Sequence, residues 1–150
     1  MTYANRYREA ALAVLPLARG SSKFDPVAYQ LLCQSLELHL KSFVWLKEQI
    51  GRDAIRKEYW HDIEKLWGRS KTIGIESYVR VTGLRDSVIA LVGPYYKNRQ
   101  FTYLDLDMVF SGFKNLKREP RALVTLSRLT GQLAKTLRKP ILEASQGTPL

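Results

Sequence analysis

The sequence predicts an all-α fold, an antiparallel bundle of four to five helices with an added basic helix at its C-terminal end. Three observations predict it. Apolar residues recur at spacings of three and four, glycine, proline and capping residues leave only short connections, and a single short stretch alternates like a strand. A chain of 150 residues, 45% of them hydrophobic, is long enough to bury one core. We therefore expect one domain over residues 1–140 and a flexible tail over residues 141–150.

The first two helices are predicted from capping residues as well as from periodicity. A first helix is expected over residues 2–17. Asp25 and Pro26 mark the start of the second, because an aspartate side chain accepts hydrogen bonds from free amides and proline fits the first helical turn. This helix should run to about Ile50, where Gly51 can end it, and its wide apolar stripe indicates a buried position in the bundle.

The middle of the chain contains two further predicted helices and one ambiguous segment. Residues 52–60 are compatible with a short helix, a loop or the first turns of the next helix. Residues 61–71 and 76–98 both have helical periodicity. The Gly93-Pro94 pair should kink or end the second of these helices, because proline cannot donate a backbone hydrogen bond.

The C-terminal part of the chain leaves one alternative open. Residues 101–107 alternate loosely and are a weak strand candidate, which competes with a helix over residues 106–116. A strand near Tyr103 would make the fold α+β. Residues 120–139 then carry leucines at spacings of three and four, so we expect a last helix that ends at Pro140.

Several classes of site are not indicated by the composition. The chain has one cysteine, Cys33, and two histidines, His39 and His61, which offer no disulfide and no recognised metal-ligand spacing. No cofactor-binding motif is present. The N-terminal segment lacks the apolar core of a signal peptide, and the longest uncharged stretches are shorter than the roughly 20 residues that cross a bilayer. We expect a cytoplasmic protein with no membrane partner.

The net charge of +10 is concentrated in one part of the sequence, residues 111–140, which we call the basic segment. This segment contains a single acidic residue, Glu119. Such a one-sided segment is typical of a surface for nucleic acid, an acidic partner or an anionic membrane, although a solvated helix face has the same composition. The candidate nucleic-acid-binding cations are Lys114, Lys117, Arg118, Arg121, Arg128, Lys135, Arg138 and Lys139.

Two stretches of sequence resemble the HEPN family (higher eukaryotes and prokaryotes nucleotide-binding). Residues 34–43, QSLELHLKSF, are similar to the family's helix pattern, and residues 61–66, HDIEKL, are similar to its "HDLEKL" helix start. The resemblance covers about residues 10–95. It implies a small all-helical domain that forms a homodimer and has RNA or a nucleotide as its ligand. The family contains RNA-cleaving toxins as well as non-catalytic partners of nucleotidyltransferases.

The resemblance also implies candidate catalytic residues. Arg56 and His61 have the Arg-x4-His spacing of the family's nuclease motif, in which histidine exchanges a proton and arginine holds phosphate without a metal. Glu37 and Lys41 match the family's helix pattern, and beside His61 they could orient the histidine and contact phosphate. His61 could equally be a structural residue at the helix start. Tyr59 and Trp60, flanked by polar residues, are candidates for stacking on unpaired bases.

Three functions therefore remain open from the sequence. The first is a dimeric, HEPN-like module that binds RNA or a nucleotide without catalysis. The second is a metal-independent endoribonuclease, a toxin or defence effector, with Arg56 and His61 paired across a dimer cleft. The third is a non-catalytic partner of a nucleotidyltransferase-like or other protein.

Overall fold

A computed structural model describes residues 2–17, 24–103 and 112–147 of the chain. These ranges contain α-helices and short 3₁₀ turns but no strand, which confirms the all-α fold class. The residues of the α+β alternative that are described, 101–103, form a turn, and the rest of that candidate strand lies outside the described residues. The α-helices are α1 Thr2–Val14, α2 Pro26–Glu48, α3 Arg52–Tyr59, α4 Ile63–Thr72, α5 Gly83–Lys97, α6 Lys114–Lys117 and α7 Ala122–Gln146.

Helix α2 is the centre of the bundle and packs against α1, α4 and α7. It starts as predicted: the Asp25 side chain accepts hydrogen bonds from the amides of Val27, at 2.9 Å, and Ala28, at 3.3 Å. It ends slightly earlier than predicted. Gln49 adopts a left-handed conformation with φ 53°, and its amide donates to the carbonyl of Trp45, so the cap precedes Gly51.

Buried polar groups on α2 hold α1 in place. The Ser35 hydroxyl donates to the carbonyl of Ala4 at 2.8 Å. The His39 ring contacts the Ser35 carbonyl through Nδ1 at 2.8 Å and the Asn5 side-chain amide through Nε2 at 3.2 Å. Burial disfavours the charged ring and lowers the pKa of His39 to about 4. His39 is therefore a neutral structural residue near pH 7.

The ambiguous segment before the second histidine is helical. Helix α3 ends at Tyr59, Trp60 turns the chain with φ 38°, and α4 begins at Ile63. The start of α4 is set by Asp62, whose side chain accepts a hydrogen bond from the Lys65 amide at 2.9 Å. His61 consequently lies in the connection between two helices, one residue before the cap.

The predicted start of the next long helix is wrong. Helix α5 begins at Gly83 rather than at residue 76, because Thr82 caps it by accepting from the Arg85 amide, and Ile75–Ser77 form a separate 3₁₀ turn. Of the two effects predicted for the Gly93-Pro94 pair, an end of the helix does not occur: the helix continues to Lys97, in agreement with the end expected near residue 98.

The last helix is longer than predicted. Helix α7 continues through Pro140 to Gln146, so neither the predicted end at Pro140 nor a tail that begins at residue 141 agrees with the structure. Proline costs one backbone hydrogen bond. However, Ile141 is only 8% exposed and extends the buried apolar stripe by another turn. Within the described ranges, no helix is long and apolar enough to cross a membrane.

Candidate functional site

A buried carboxylate lies at the centre of the candidate site. The Glu37 side chain, on α2, is only 2% exposed, and a buried charge is costly unless it is paired and hydrogen-bonded. Oε1 forms an ion pair with Lys41, and Oε2 lies 3.0 Å from Nδ1 of His61 and accepts a hydrogen bond from the Tyr96 hydroxyl. We call these four residues the Glu37 cluster. They join α2, the connection before α4 and the end of α5.

Neighbouring contacts fix the position of His61. Lys41 Nζ donates to the carbonyl of Trp60 at 2.8 Å and so ties the α3–α4 connection to α2. Asp62 forms a 2.6 Å ion pair with Lys97 at the end of α5. Partial burial opposes ionisation of Asp62, but the hydrogen bonds from Lys97 and the Lys65 amide prevail and lower its pKa. The two residues next to His61 in the sequence, Trp60 and Asp62, are thus both anchored, and His61 itself contacts Glu37.

Tyr96 supplies the third contact to the carboxylate. Its hydroxyl also lies 2.8 Å from Oε1 of Gln34, and its ring meets the His61 ring edge-on with centroids 5.7 Å apart. Burial and the negative charge of Glu37 raise the pKa of Tyr96 far above its usual value. Tyr96 therefore stays protonated and acts as a hydrogen-bond donor to Glu37.

A small cavity opens beside the cluster. It encloses about 160 Å³, and we call it the His61 cavity. Arg99 follows α5 in a left-handed conformation with φ 57°, and its carbonyl accepts from the amides of Thr102, at 3.0 Å, and Tyr103, at 3.1 Å. This turn brings the chain back over the end of α5. The lining residues are Gln30, His61, Tyr96, Arg99, Thr102 and Tyr103.

The structure brings together three of the four predicted catalytic residues. Glu37, Lys41 and His61 are in direct contact through the carboxylate. Arg56 is not part of this cluster: its side chain is 66% exposed on α3 and lies 3.4 Å from Asp53. Because α3 ends between Arg56 and His61 and Trp60 turns the chain, the structure shows no contact between these two side chains despite the Arg-x4-His spacing.

The two predicted stacking residues have different environments. Tyr59 is buried in the core, and Lys65 lies over its ring at 5.4 Å, so no ring face is free for a base. The prediction for Tyr59 is wrong for this reason. Trp60 is 56% exposed and lies edge-on to the His61 ring, with centroids 5.3 Å apart. Trp60 is therefore the one member of the pair that can reach a ligand at the His61 cavity.

The cations of the basic segment are exposed, and they have different surroundings. Arg121 is paired with Glu119 at 2.9 Å, and Lys139 lies 3.8 Å from Glu143. Lys117 packs over the ring of Phe24 at 5.5 Å. Arg128 and Lys135 line a groove whose described lining residues do not include Lys114, Arg118 or Arg138, which are also exposed.

Sequence reasoning missed Tyr96 and Arg99 as members of the site. The two residues are three apart at the end of a predicted helix, but this spacing does not indicate a contact with Glu37. Glu37 lies 59 positions before Tyr96 in the sequence. Such a contact depends on how α5 packs against α2 and cannot be read from periodicity. In the described part of the chain, no group of three or more His, Cys, Asp or Glu side chains is placed to hold a metal ion.

No protein-family model, no curated protein and no solved structure matches this chain. The chemistry of the site therefore follows from its own side chains. With Nδ1 of His61 directed at Glu37, Nε2 is the ring nitrogen left for a ligand, and it can donate when the ring is protonated or accept when it is neutral. Arg99 adds a guanidinium fork that matches phosphate. The site is suited to holding a phosphate group and to exchanging a proton with it.

Proposed function

We propose that the protein is a HEPN-like module that binds a nucleotide or RNA, with one phosphate of the ligand between His61 and Arg99. The observation that carries the proposal is the Glu37 cluster, which orients His61 toward a cavity lined by Arg99. Glu37, Lys41 and His61 are also the residues through which the sequence resembles that family. Homodimerisation and a nucleotidyltransferase-like partner stay predictions from the resemblance.

The volume of the His61 cavity limits which part of a ligand can fit inside it. At about 160 Å³ it is smaller than the roughly 300–1,000 Å³ of pockets that enclose a drug-sized molecule. It suits a phosphate group and its nearest atoms, while sugar and base remain outside. Trp60, exposed beside the His61 ring, offers a face on which such a base can stack.

The proposal is tested by titrating the protein with a nucleoside monophosphate and with the same nucleoside lacking its phosphate. The His61 ring signals are followed by NMR, and affinity is measured by calorimetry. We expect the monophosphate alone to move the His61 signals, and Arg99→Gln to weaken its binding roughly tenfold, as for loss of one charge-assisted contact. Arg56→Gln is the matched control, because it removes the same charge from an exposed arginine outside the cavity.

Two outcomes of this titration would refute the proposal. Equal responses to the nucleoside and its monophosphate would exclude a phosphate site beside His61. Equal losses in Arg99→Gln and Arg56→Gln would show that general charge, not the cavity, attracts the ligand.

A metal-independent endoribonuclease, a toxin or defence effector, is the second candidate. It is favoured by the Glu37–His61 contact, since a carboxylate that orients an imidazole is a recurrent arrangement for proton transfer. Nε2 of neutral His61 would take the proton of a ribose 2′-hydroxyl, whose oxygen would attack the adjacent phosphorus. The 5′-oxygen would leave and take a proton from water, while protonated His61 returns its proton to solvent, giving a cyclic phosphate and a 5′-hydroxyl end.

Cleavage is tested with a mixed fluorescent RNA pool in EDTA. Activity lost in His61→Ala and Arg99→Gln but kept in Arg56→Gln would assign the reaction to the His61 cavity of one protomer. Loss in Arg56→Gln would instead support an arginine contributed across a dimer cleft. If the folded parent leaves the RNA intact, the ribonuclease candidate is rejected and binding alone remains.

A further inference from the structure

A second cavity, far larger than the first, lies between α1, α5 and α7. It is an open groove of about 610 Å³ lined by five cations, and none of its described lining residues is acidic. We call it the basic groove. Its cations are Arg8, Arg80, Arg85, Arg128 and Lys135.

Arg85 forms the floor of the groove and is only 9% exposed. Nη2 donates to Oε1 of Gln132 on α7 at 2.6 Å, and Nη1 donates to the carbonyl of Arg80. Burial, together with the neighbouring charge of Arg80, lowers the pKa of the Arg85 guanidinium. Its hydrogen-bond partners are neutral, so the positive charge of Arg85 is not balanced by an acid among the described lining residues.

Arg8 brings a second guanidinium into the groove from α1. Its Nε is buried and has no hydrogen-bond partner among the described residues. The guanidinium lies against the backbone of α7 at Gly131: a Cβ there would come within 2.9 Å of Nη2 and 3.2 Å of Nε. The absence of a side chain at Gly131 therefore makes room for Arg8.

We infer that the basic groove binds the phosphodiester backbone of single-stranded RNA, at a site separate from the His61 cavity. Arginine forks, lysine, the hydroxyls of Thr82 and Ser127 and the amide of Gln132 are the donors that proteins use for phosphate oxygens. No aromatic ring is among the described lining residues, so none of them offers a face on which a base can stack. The choice of RNA as the polymer rests on the proposed function.

Two paired variants of α7 test this inference. Arg128→Gln/Lys135→Gln removes two charges from the groove, and Arg138→Gln/Lys139→Gln removes two exposed charges from the same helix outside it. Affinity for a short fluorescent single-stranded RNA is measured by anisotropy at several salt concentrations. We expect the groove pair to lower affinity roughly tenfold or more and to reduce the salt slope by about 1.4, the loss of two phosphate contacts. The control pair should change both much less.

Several outcomes would overturn the inference. Equal losses in the two pairs would mean that overall charge attracts RNA, and no loss in either, or no RNA binding by the parent, would leave the groove without this ligand. Binding to vesicles of anionic lipid in place of RNA would assign it to a membrane surface. None of these results decides the proposed function, because the monophosphate titration and Arg99→Gln report on the His61 cavity alone.

Discussion

The His61 cavity and the basic groove both concentrate cations, but they differ in how that charge is balanced. At the cavity, Lys41 and His61 share the buried carboxylate of Glu37. In the groove, Arg85 is held by neutral oxygens, and the described lining residues include no acid. Internal pairing fixes the position of a side chain, whereas unbalanced charge creates a field that attracts an anion from solution. The first region is built to orient a group and the second to collect a ligand.

The largest effect is expected from breaking the Glu37 cluster. Glu37→Gln keeps the shape of the side chain but leaves Lys41 and His61 without their anion, and removal of one partner from a buried pair typically costs about 3–5 kcal/mol. Urea unfolding measures the loss. Glu58→Gln, which breaks the exposed ion pair with Lys65, is the control and should change stability little. Similar values for the two variants would mean that the cluster is not tightly buried in solution.

A second effect depends on pH and concerns His39 on α2. Because burial lowers the pKa of His39 from 6.5 to about 4, the unfolded chain binds a proton in this interval that the folded chain does not. Stability contributed by the neutral ring is fully present above pH 6.5 and is lost as pH falls toward 4, by about 3 kcal/mol in total. His39→Gln should flatten this part of the pH profile in urea unfolding. An unchanged slope of stability against pH would mean that groups other than His39 cause the loss.

RNA binding by the basic groove should depend on pH differently from the stability of the core, since arginines and lysines do not titrate in this interval of pH. Affinity of the groove for RNA should therefore stay nearly constant where the stability falls. A loss of affinity that tracks protonation of His39 would show that the α1–α2 contact controls the position of Arg8.

Local capping signals predicted much of the fold. Asp25-Pro26 marked the start of α2 because the cap is made by residues next to each other in sequence. The prediction that the last helix ends at Pro140 was wrong because the backbone hydrogen bond that proline removes is outweighed by burial of Ile141. That burial depends on the rest of the bundle and not on the local sequence. Thr82 was a capping signal that the periodicity of the preceding residues concealed.

The candidate site was predictable only as far as its members lie close together in sequence or match a pattern. Glu37 and Lys41 are one helical turn apart, and the HEPN resemblance was the reason to expect His61 beside them. Arg56 was favoured by spacing along the chain, but the turn at Trp60 separates it from His61. Arg8 joins the basic groove only because α1 packs beside Gly131, and nothing in the local sequence indicates that contact.

A smaller effect is expected from weakening the cluster without removing its charge. Tyr96→Phe deletes one hydrogen-bond donor to Glu37 but keeps the ring, and loss of a hydrogen bond to a charged group costs about 1.5–3 kcal/mol. Tyr95→Phe is the matched control, because the structure shows its ring against Phe101 and Phe113 and no hydrogen bond of its hydroxyl in the described residues. Urea unfolding should separate the two, and equal stabilities would show that water replaces the Tyr96 hydroxyl.

The smallest effect on stability is expected in the groove, although Arg85 is also a buried charge. Arg85→Met removes a cation that has no anionic partner to leave behind, so the free energy of unfolding should change by less than about 1 kcal/mol. Affinity for RNA should fall with the same substitution, because the floor of the groove loses its charge. A large loss of stability together with unchanged RNA binding would reverse the comparison: Arg85 would then be a structural link between α5 and α7, and not part of a ligand site.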